Sequence, residues 1–392
     1  MSTTFTNSLD SDPTADFYLT QDVTTVTYPG EGILFNTGGA GVYTQGLVKK
    51  VTDFAVAGMY FQWTMYKSGS TGNCYAFAGI RKDINLAATG VYGVYFSSPD
   101  KLESISSGAT LSTAVLDTDY VIRLVVKSNN TLDLYVDGAF VENINPGTEI
   151  IGQPINLQLG APYYSPLVGY KDVIIYDPRD TVDSSDFSDS TGWSTTTTNG
   201  TVTFDGGGHV DKTGANSWGT LGLWRTALTT MKVGDVVRMS VKGTWSSIPE
   251  SFFWLRFTSG VGVSTGLEGV GYTFHQSGAT DYLARQNATA IGDINVGLDT
   301  YYDLVFTCNV SGYIDLWATS TGDADWVHIG RNSSQSFDGV DFYPGGEIYA
   351  NGATFTMDNY SWLQLPEAPS VGGGGDGASI GLMHKILKRR RN

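Results

Sequence analysis

The sequence predicts an all-β protein: two tandem antiparallel β-sandwiches followed by a glycine-linked basic tail. Three observations carry this. Gly (49 of 392 residues), Thr, Ser, Tyr and Val dominate, Lys and Glu are sparse, and no long segment shows a helical period. Short runs alternate apolar and polar residues with a period of two, punctuated by Gly, Asn and Asp. The chain also matches itself. "DTDYVIRLVVKSNNTLDLYV" (117–136) returns as "DTYYDLVFTCNVSGYIDLWA" (299–318) at a constant offset of 182 residues. Five of the twenty positions are identical: Asp117/Asp299, Thr118/Thr300, Tyr120/Tyr302, Asp133/Asp315 and Leu134/Leu316. A hairpin written twice implies an architecture used twice.

Taken in order, residues 1–20 read as a polar lead-in. The first sandwich is expected over 21–178. In "GMYFQWTMYKSG", Met59, Phe61, Trp63 and Met65 fall on one face of a strand, with Tyr60, Gln62, Thr64 and Tyr66 on the other. Ile122, Leu124 and Val126 face inward opposite Leu132, Leu134 and Val136, and Asp137-Gly138 marks a tight hairpin. Pro178 and the acidic run after it set a boundary, and the second sandwich follows over 179–366. Residues 367–392 form a Gly-rich linker and a basic tail. Domains of this size bury enough surface to fold without disulfides, and two cysteines, Cys74 and Cys308, one in each half, read as buried free thiols.

Charge divides the chain in two. The segment 372–392 holds five basic residues and one Asp, leaving 18 basic against 38 acidic side chains, net −20, in the body. Such a body does not bind nucleic acid or an anionic membrane through its main surface. The N-terminus lacks the basic and apolar regions of a secretion signal, and no apolar run reaches membrane-spanning length.

The first half resembles the laminin-G and concanavalin-A-like jelly rolls, on "TLDLYVDGAFVE" and the closing strand "YKDVIIYD". The second is similar to carbohydrate-binding modules, on "STGWSTTTTNGTVTFDGGG" and "FTMDNYSWLQL". Together they resemble bacteriophage virion surface and fibre proteins. The resemblance implies sandwiches that present a sugar-binding face, with a structural Ca²⁺ between first and last strands. Asp183, Asp186, Asp189 and Asp358 are the oxygen donors for such an ion, with a solvated acidic linker as the other reading.

Catalysis is not expected. Jelly-roll glycosidases place paired carboxylates on one strand as E-x-D-x-x-E, and no such string occurs; Glu103, Glu149, Glu250 and Glu347 stand singly. His209, His275, His328 and His384 show neither metal-ligand nor triad spacing. Sugar binding is better supplied. Eight of nine tryptophans lie in the second half. With Phe253, Leu255, Phe257, Ile314 and Leu316 inward, Trp254, Arg256, Tyr313, Asp315 and Trp317 face outward as a candidate glycan platform. The other reading of these rings is a packed second face or an interface.

In the tail, Ile380, Leu382, Met383, Ile386 and Leu387 make a short apolar patch, closed by Lys388, Arg389, Arg390 and Arg391. Charge alone would serve nucleic acid, whereas apolar and cationic groups together suit a protein groove. An exposed adhesive body without an export signal fits a virion surface protein, made in the host cytoplasm, released by lysis, homo-oligomeric and anchored by this tail to other virion proteins. A cell-surface or secreted carbohydrate-binding protein exported without a signal, and a capsid protein whose basic end touches the genome, are the alternatives.

Overall fold

A computed structural model describes residues 3–20, 25–30, 32–36, 46–49, 53–68, 76–81, 91–97, 101–160, 167–244, 251–256, 269–277, 280–286, 293–297, 299–320, 326–333 and 335–366. Among them there is no helix. They form four eight-stranded sheets, paired into two sandwiches.

One sheet of the first sandwich runs Ala139–Ile144, Leu132–Val136, Tyr120–Val126, Tyr60–Ser68, Leu167–Asp177, Ile33–Asn36, Thr25–Thr27. One sheet of the second runs Val327–Asn332, Ile314–Ser320, Tyr302–Cys308, Val236–Thr244, Thr354–Gln364, Gly208–Lys212, Gly200–Phe204. The lists correspond strand for strand, and the two facing sheets correspond equally. The halves are therefore one jelly-roll topology used twice, rather than two kinds of sandwich. Leu167–Asp177 and Thr354–Gln364 even share the same eleven-residue pattern of burial. Both bulge at equivalent places, where Asp172 (φ +54°) and Asn359 (φ +49°) take the left-handed conformation that Asp and Asn tolerate best.

The five identities now have physical reasons. Asp117 and Asp299 are left-handed (φ +53° and +55°) and donate backbone N–H groups to the carbonyls of Lys67 (2.8 Å) and Gly243 (3.2 Å). The hydroxyls of Tyr120 and Tyr302 accept from the N–H of Val115 (2.9 Å) and Gly297 (2.8 Å), pinning the loop before each hairpin. Leu134 and Leu316 enter the two cores. Asp133 and Asp315 sit on the opposite face, and their environments differ, as described below. Thr118 and Thr300 flank the left-handed aspartates.

The expected inward residues Met59, Phe61, Trp63, Met65, Ile122, Leu124, Val126, Leu132, Leu134 and Val136 all lie in the first core. Asp137 (φ +50°) and Gly138 (φ +81°) are both left-handed, the conformation a two-residue hairpin of this twist demands. Residues 3–20 are part of the first sandwich and not a separate lead-in. Thr3–Asn7 pairs with Leu167–Asp177 and Phe17–Thr20 with Gly46–Lys49, while Leu9 and Phe17 are fully buried. Polar residues hid these edge strands, because only alternate positions need to be apolar. The sheets of one sandwich end at Asp177 and those of the next begin at Asp180.

Candidate functional site

The alternation assigned to the tryptophan-rich strands is right, but the face it exposes is not open to solvent. Phe253, Leu255, Ile314 and Leu316 are in the second core. Trp254 lies on the other face of its sheet, between Gly345 and Gly271 on the neighbouring strands, and is 0 % exposed; Arg256 lies over its ring at 5.3 Å and is 5 % exposed. Asp315 (0 %) and Trp317 (8 %) are buried as well. Tyr313, half-buried, lies in the hairpin turn, where its N–H donates to Asn309 Oδ1 (3.1 Å). These five residues do not form an exposed platform.

What covers Asp315 and Trp317 is the first sandwich. Phe54 stands edge-on to Trp317 (centroids 6.2 Å apart) and Trp326 (5.0 Å), in a small apolar cluster with Val236 and Val305. Around it runs a polar seam. Arg179 makes a bidentate pair with Asp177 and donates to the carbonyls of Phe54 (2.8 Å) and Gly234 (3.1 Å). Thr307 Oγ1 donates to the carbonyl of Gly152 (2.7 Å). Gly152 has φ +77°, and a Cβ there would come within 3.0 Å of Asn309 Cα, so the close approach requires glycine. Arg331 bridges Asp315 (2.7 and 2.8 Å) to Glu149 of the first sandwich (2.6 Å).

Asp315 gathers further donors: Asn309 Nδ2 (3.0 Å), Gln153 Nε2 (3.3 Å) and the His328 ring (2.9 Å). Burial alone would raise its pKa, but bonds from His328, Arg331 and Asn309, with the guanidinium charge, outweigh it and hold the carboxyl below its ordinary value. Asp133 at the same place in the first hairpin meets, among the described residues, Asn143 Nδ2 (2.7 Å) and Lys127 (3.2 Å). No signal within the second hairpin could reveal this. The partners Glu149 and Gln153 are more than 160 residues away.

The aspartates proposed for Ca²⁺ are not brought together, and among the described residues no group of His, Cys, Asp and Glu is arranged to hold a metal. Asp183 pairs with Arg225 (2.9 Å to Nε) and accepts from the Tyr360 hydroxyl (3.0 Å). Asp186 and Asp189 accept the N–H groups of Ser188 (3.0 Å) and Thr191 (2.7 Å) in successive turns. The Ser188 N–H and then its hydroxyl lower the Asp186 carboxyl, and the Thr191 hydroxyl and then its N–H lower that of Asp189. Asp358 accepts from its neighbour Asn359 N (2.8 Å). Turn formation accounts for the acidic run.

Cys308 is buried, and burial pushes its thiol pKa well up, the reverse of what a nucleophile needs. Cys74 and the tail residues Ile380, Leu382, Met383, Ile386, Leu387, Lys388, Arg389, Arg390 and Arg391 lie outside the described residues. Among the described residues no helix is long and apolar enough to cross a membrane.

A cleft of about 360 Å³ does open on the first sandwich, lined by Pro29, Leu34, Tyr66, Ser68, Asp117, Asp119 and Lys171. Its floor is Tyr66. Gly169 is paired with both Tyr66 and Leu34, and a Cβ at Gly169 would fall 2.1 Å from Tyr66 Cζ. The phenol ring therefore lies across the bare backbone of the neighbouring strand. Around it, Lys171 Nζ meets Asp119 Oδ2 (2.8 Å) and stands 5.6 Å from the ring centroid, and Ser68 Oγ donates to Asp117 Oδ1 (2.6 Å). The left-handed backbone of Asp117, tied to Lys67, carries that carboxylate to the rim. An aromatic plane edged by carboxylates, an ammonium and a hydroxyl can hold a small ligand with an apolar face and polar edges.

No family model and no curated protein matches the chain. Among solved structures it is similar to a seed lectin of Lotus tetragonolobus (10 % identity, 47 % of this chain and 100 % of that chain, TM-score 0.36). It is also similar to the VIP36 exoplasmic/lumenal domain in a form bound to Ca²⁺ and Man3GlcNAc (8 %, 46 % and 88 %, 0.36) and to a legume lectin-like domain of Entamoeba histolytica (7 %, 45 % and 91 %, 0.33).

Proposed function

We propose that this protein binds carbohydrate without catalysing a reaction on it, and that it does so at the surface of a virus particle, where it contacts the host. The observation that carries the carbohydrate reading is the Tyr66 cleft. Its flat ring matches the C–H face of a sugar, and its carboxylates match the hydroxyls. Two sandwiches joined through the Phe54–Trp317 seam suit a part that projects from a surface. The acidic charge of that body argues against nucleic acid as its partner. The tail, apolar and basic beyond four glycines, is proposed as the attachment to other virion proteins.

Truncation after Ser370 tests the attachment. The shortened chain should stay folded and soluble yet be missing from purified particles, and full occupancy would refute the anchor. If Leu382→Ser and Ile386→Ser leave attachment intact while salt abolishes it, the tail contacts the genome instead. A glycan array probed with the full chain tests the carbohydrate reading itself. Silence across neutral and acidic glycans would refute it.

A further inference from the structure

We infer that the Tyr66 cleft takes a neutral pyranose, one or two sugar units long, and discriminates against acidic sugars. This deepens the carbohydrate reading above and rests on it.

The chemistry of the rim sets the class. Two carboxylates, Asp117 and Asp119, face one ammonium, Lys171, which is already engaged with Asp119 at 2.8 Å. Ionised carboxylates only accept hydrogen bonds, so the rim selects a ligand rich in donors, which the hydroxyls of a pyranose supply. Ser68 engages Asp117 Oδ1, and Oδ2 keeps its acceptor capacity. A sugar carrying its own carboxylate would meet a net negative rim at hydrogen-bonding distance and lose affinity. A volume of about 360 Å³ lies at the small end of ligand sites, which span roughly 300–1,000 Å³. That size admits a terminal residue or a disaccharide, with Pro29 and Leu34 as apolar walls.

The internal repeat supplies a comparison within the same molecule. By strand register, Lys242 stands where Tyr66 does, Tyr301 where Asp119 does, and Asp358 where Lys171 does. The second sandwich thus holds the same three chemistries, each moved one position round. In both sandwiches an ammonium lies over the ring, Lys171 Nζ 5.6 Å from the Tyr66 centroid and Lys242 Nζ closer, 4.9 Å from that of Tyr301, and the cleft with its Asp117–Ser68 rim is described on the first. The two sandwiches share a scaffold, and the first alone is assigned the site, one per chain.

Calorimetric titration of the full chain with neutral galactose-, glucose- and mannose-terminated oligosaccharides, each beside its sialylated counterpart, tests this. At least one neutral series is expected to bind with one site per chain, and its sialylated form at least about tenfold more weakly. Tyr66→Ala should lower the neutral affinity about tenfold or more, while Tyr301→Ala leaves it unchanged, both variants keeping the wild-type circular dichroism spectrum. Should Tyr66→Ala prove unfolded, Asp119→Asn serves: it should narrow the gap between neutral and sialylated ligands. Neutral binding indifferent to both substitutions would overturn the cleft and leave the carbohydrate reading standing. Preference for the sialylated forms would overturn the neutral class. Absence of binding to every sugar would overturn both readings.

Discussion

Phe54 of the first sandwich meets Trp317 of the second edge-on, with ring centroids 6.2 Å apart, at the centre of a seam between the two domains. Trp317 is the aromatic residue at the end of the repeated hairpin, where the first copy has Tyr135. That position serves the first hairpin as one more ring on its outer face, edge-on to Phe140. In the second it became an interface.

Arg179 is the polar counterpart of that contact. It is almost fully buried and holds Asp177, itself largely buried, along with two carbonyls from opposite domains. Arg179→Ala strands the Asp177 carboxylate in the seam, and breaking a buried pair from one side costs about 3–5 kcal/mol. Chemical denaturation should show a loss of that order. A loss under about 1 kcal/mol would mean that the pair is solvated.

Asp235 gives the seam a pH dependence. Burial, above all, raises its carboxyl to about 6, against the hydrogen bonds from Trp362 (2.9 Å) and Gln364 (2.8 Å). Because the folded value exceeds the unfolded one, the native state holds a proton that the unfolded chain gives up between about pH 4 and 6. This group's contribution is therefore fully present below the unfolded value and is lost as pH rises through about 6. Asp315, with its depressed pKa, acts in the opposite sense and is lost only in stronger acid, as pH falls through its folded value. Thermal melts from pH 4 to 7 should show Asp235→Asn flattening the decline of stability with rising pH. An unaltered slope would place the titration elsewhere.

The left-handed aspartates before each hairpin should behave as a matched pair. Asp117→Val and Asp299→Val force a β-branched residue into φ near +54°, at a cost of about 1–2 kcal/mol each. Equilibrium unfolding of the two variants should give similar losses, and Asp→Gly at either site should be far milder. Unequal losses would show that the repeat is one of sequence and not of local energetics.

The fold was legible because it depends on short-range pattern. Alternation placed Met59 to Met65 and both hairpins on the correct faces, since period two is fixed by the pleat. The edge strands at Thr3–Asn7 and Phe17–Thr20 were missed because edge positions tolerate polar residues. The site was far less legible. Alternation says that Asp315 and Trp317 leave their own core, but not whether water or another domain receives them. Glu149, Gln153 and Phe54, which receive them, are set by tertiary placement across more than 160 residues. Tyr66 was assigned correctly to the outer face and passed over, because its value as a floor depends on Gly169 more than a hundred residues away.

The most direct measurement of whether those aromatics fuse the sandwiches is differential scanning calorimetry of the full chain, wild type against Trp317→Ala. Loss of a buried indole costs about 3–5 kcal/mol. The wild-type chain should melt in one cooperative transition. The variant should melt several degrees lower or split into two transitions, while the circular dichroism of both sandwiches is retained. Two transitions in the wild type, with the Trp317→Ala profile superimposable upon them, would contradict a seam that couples the domains.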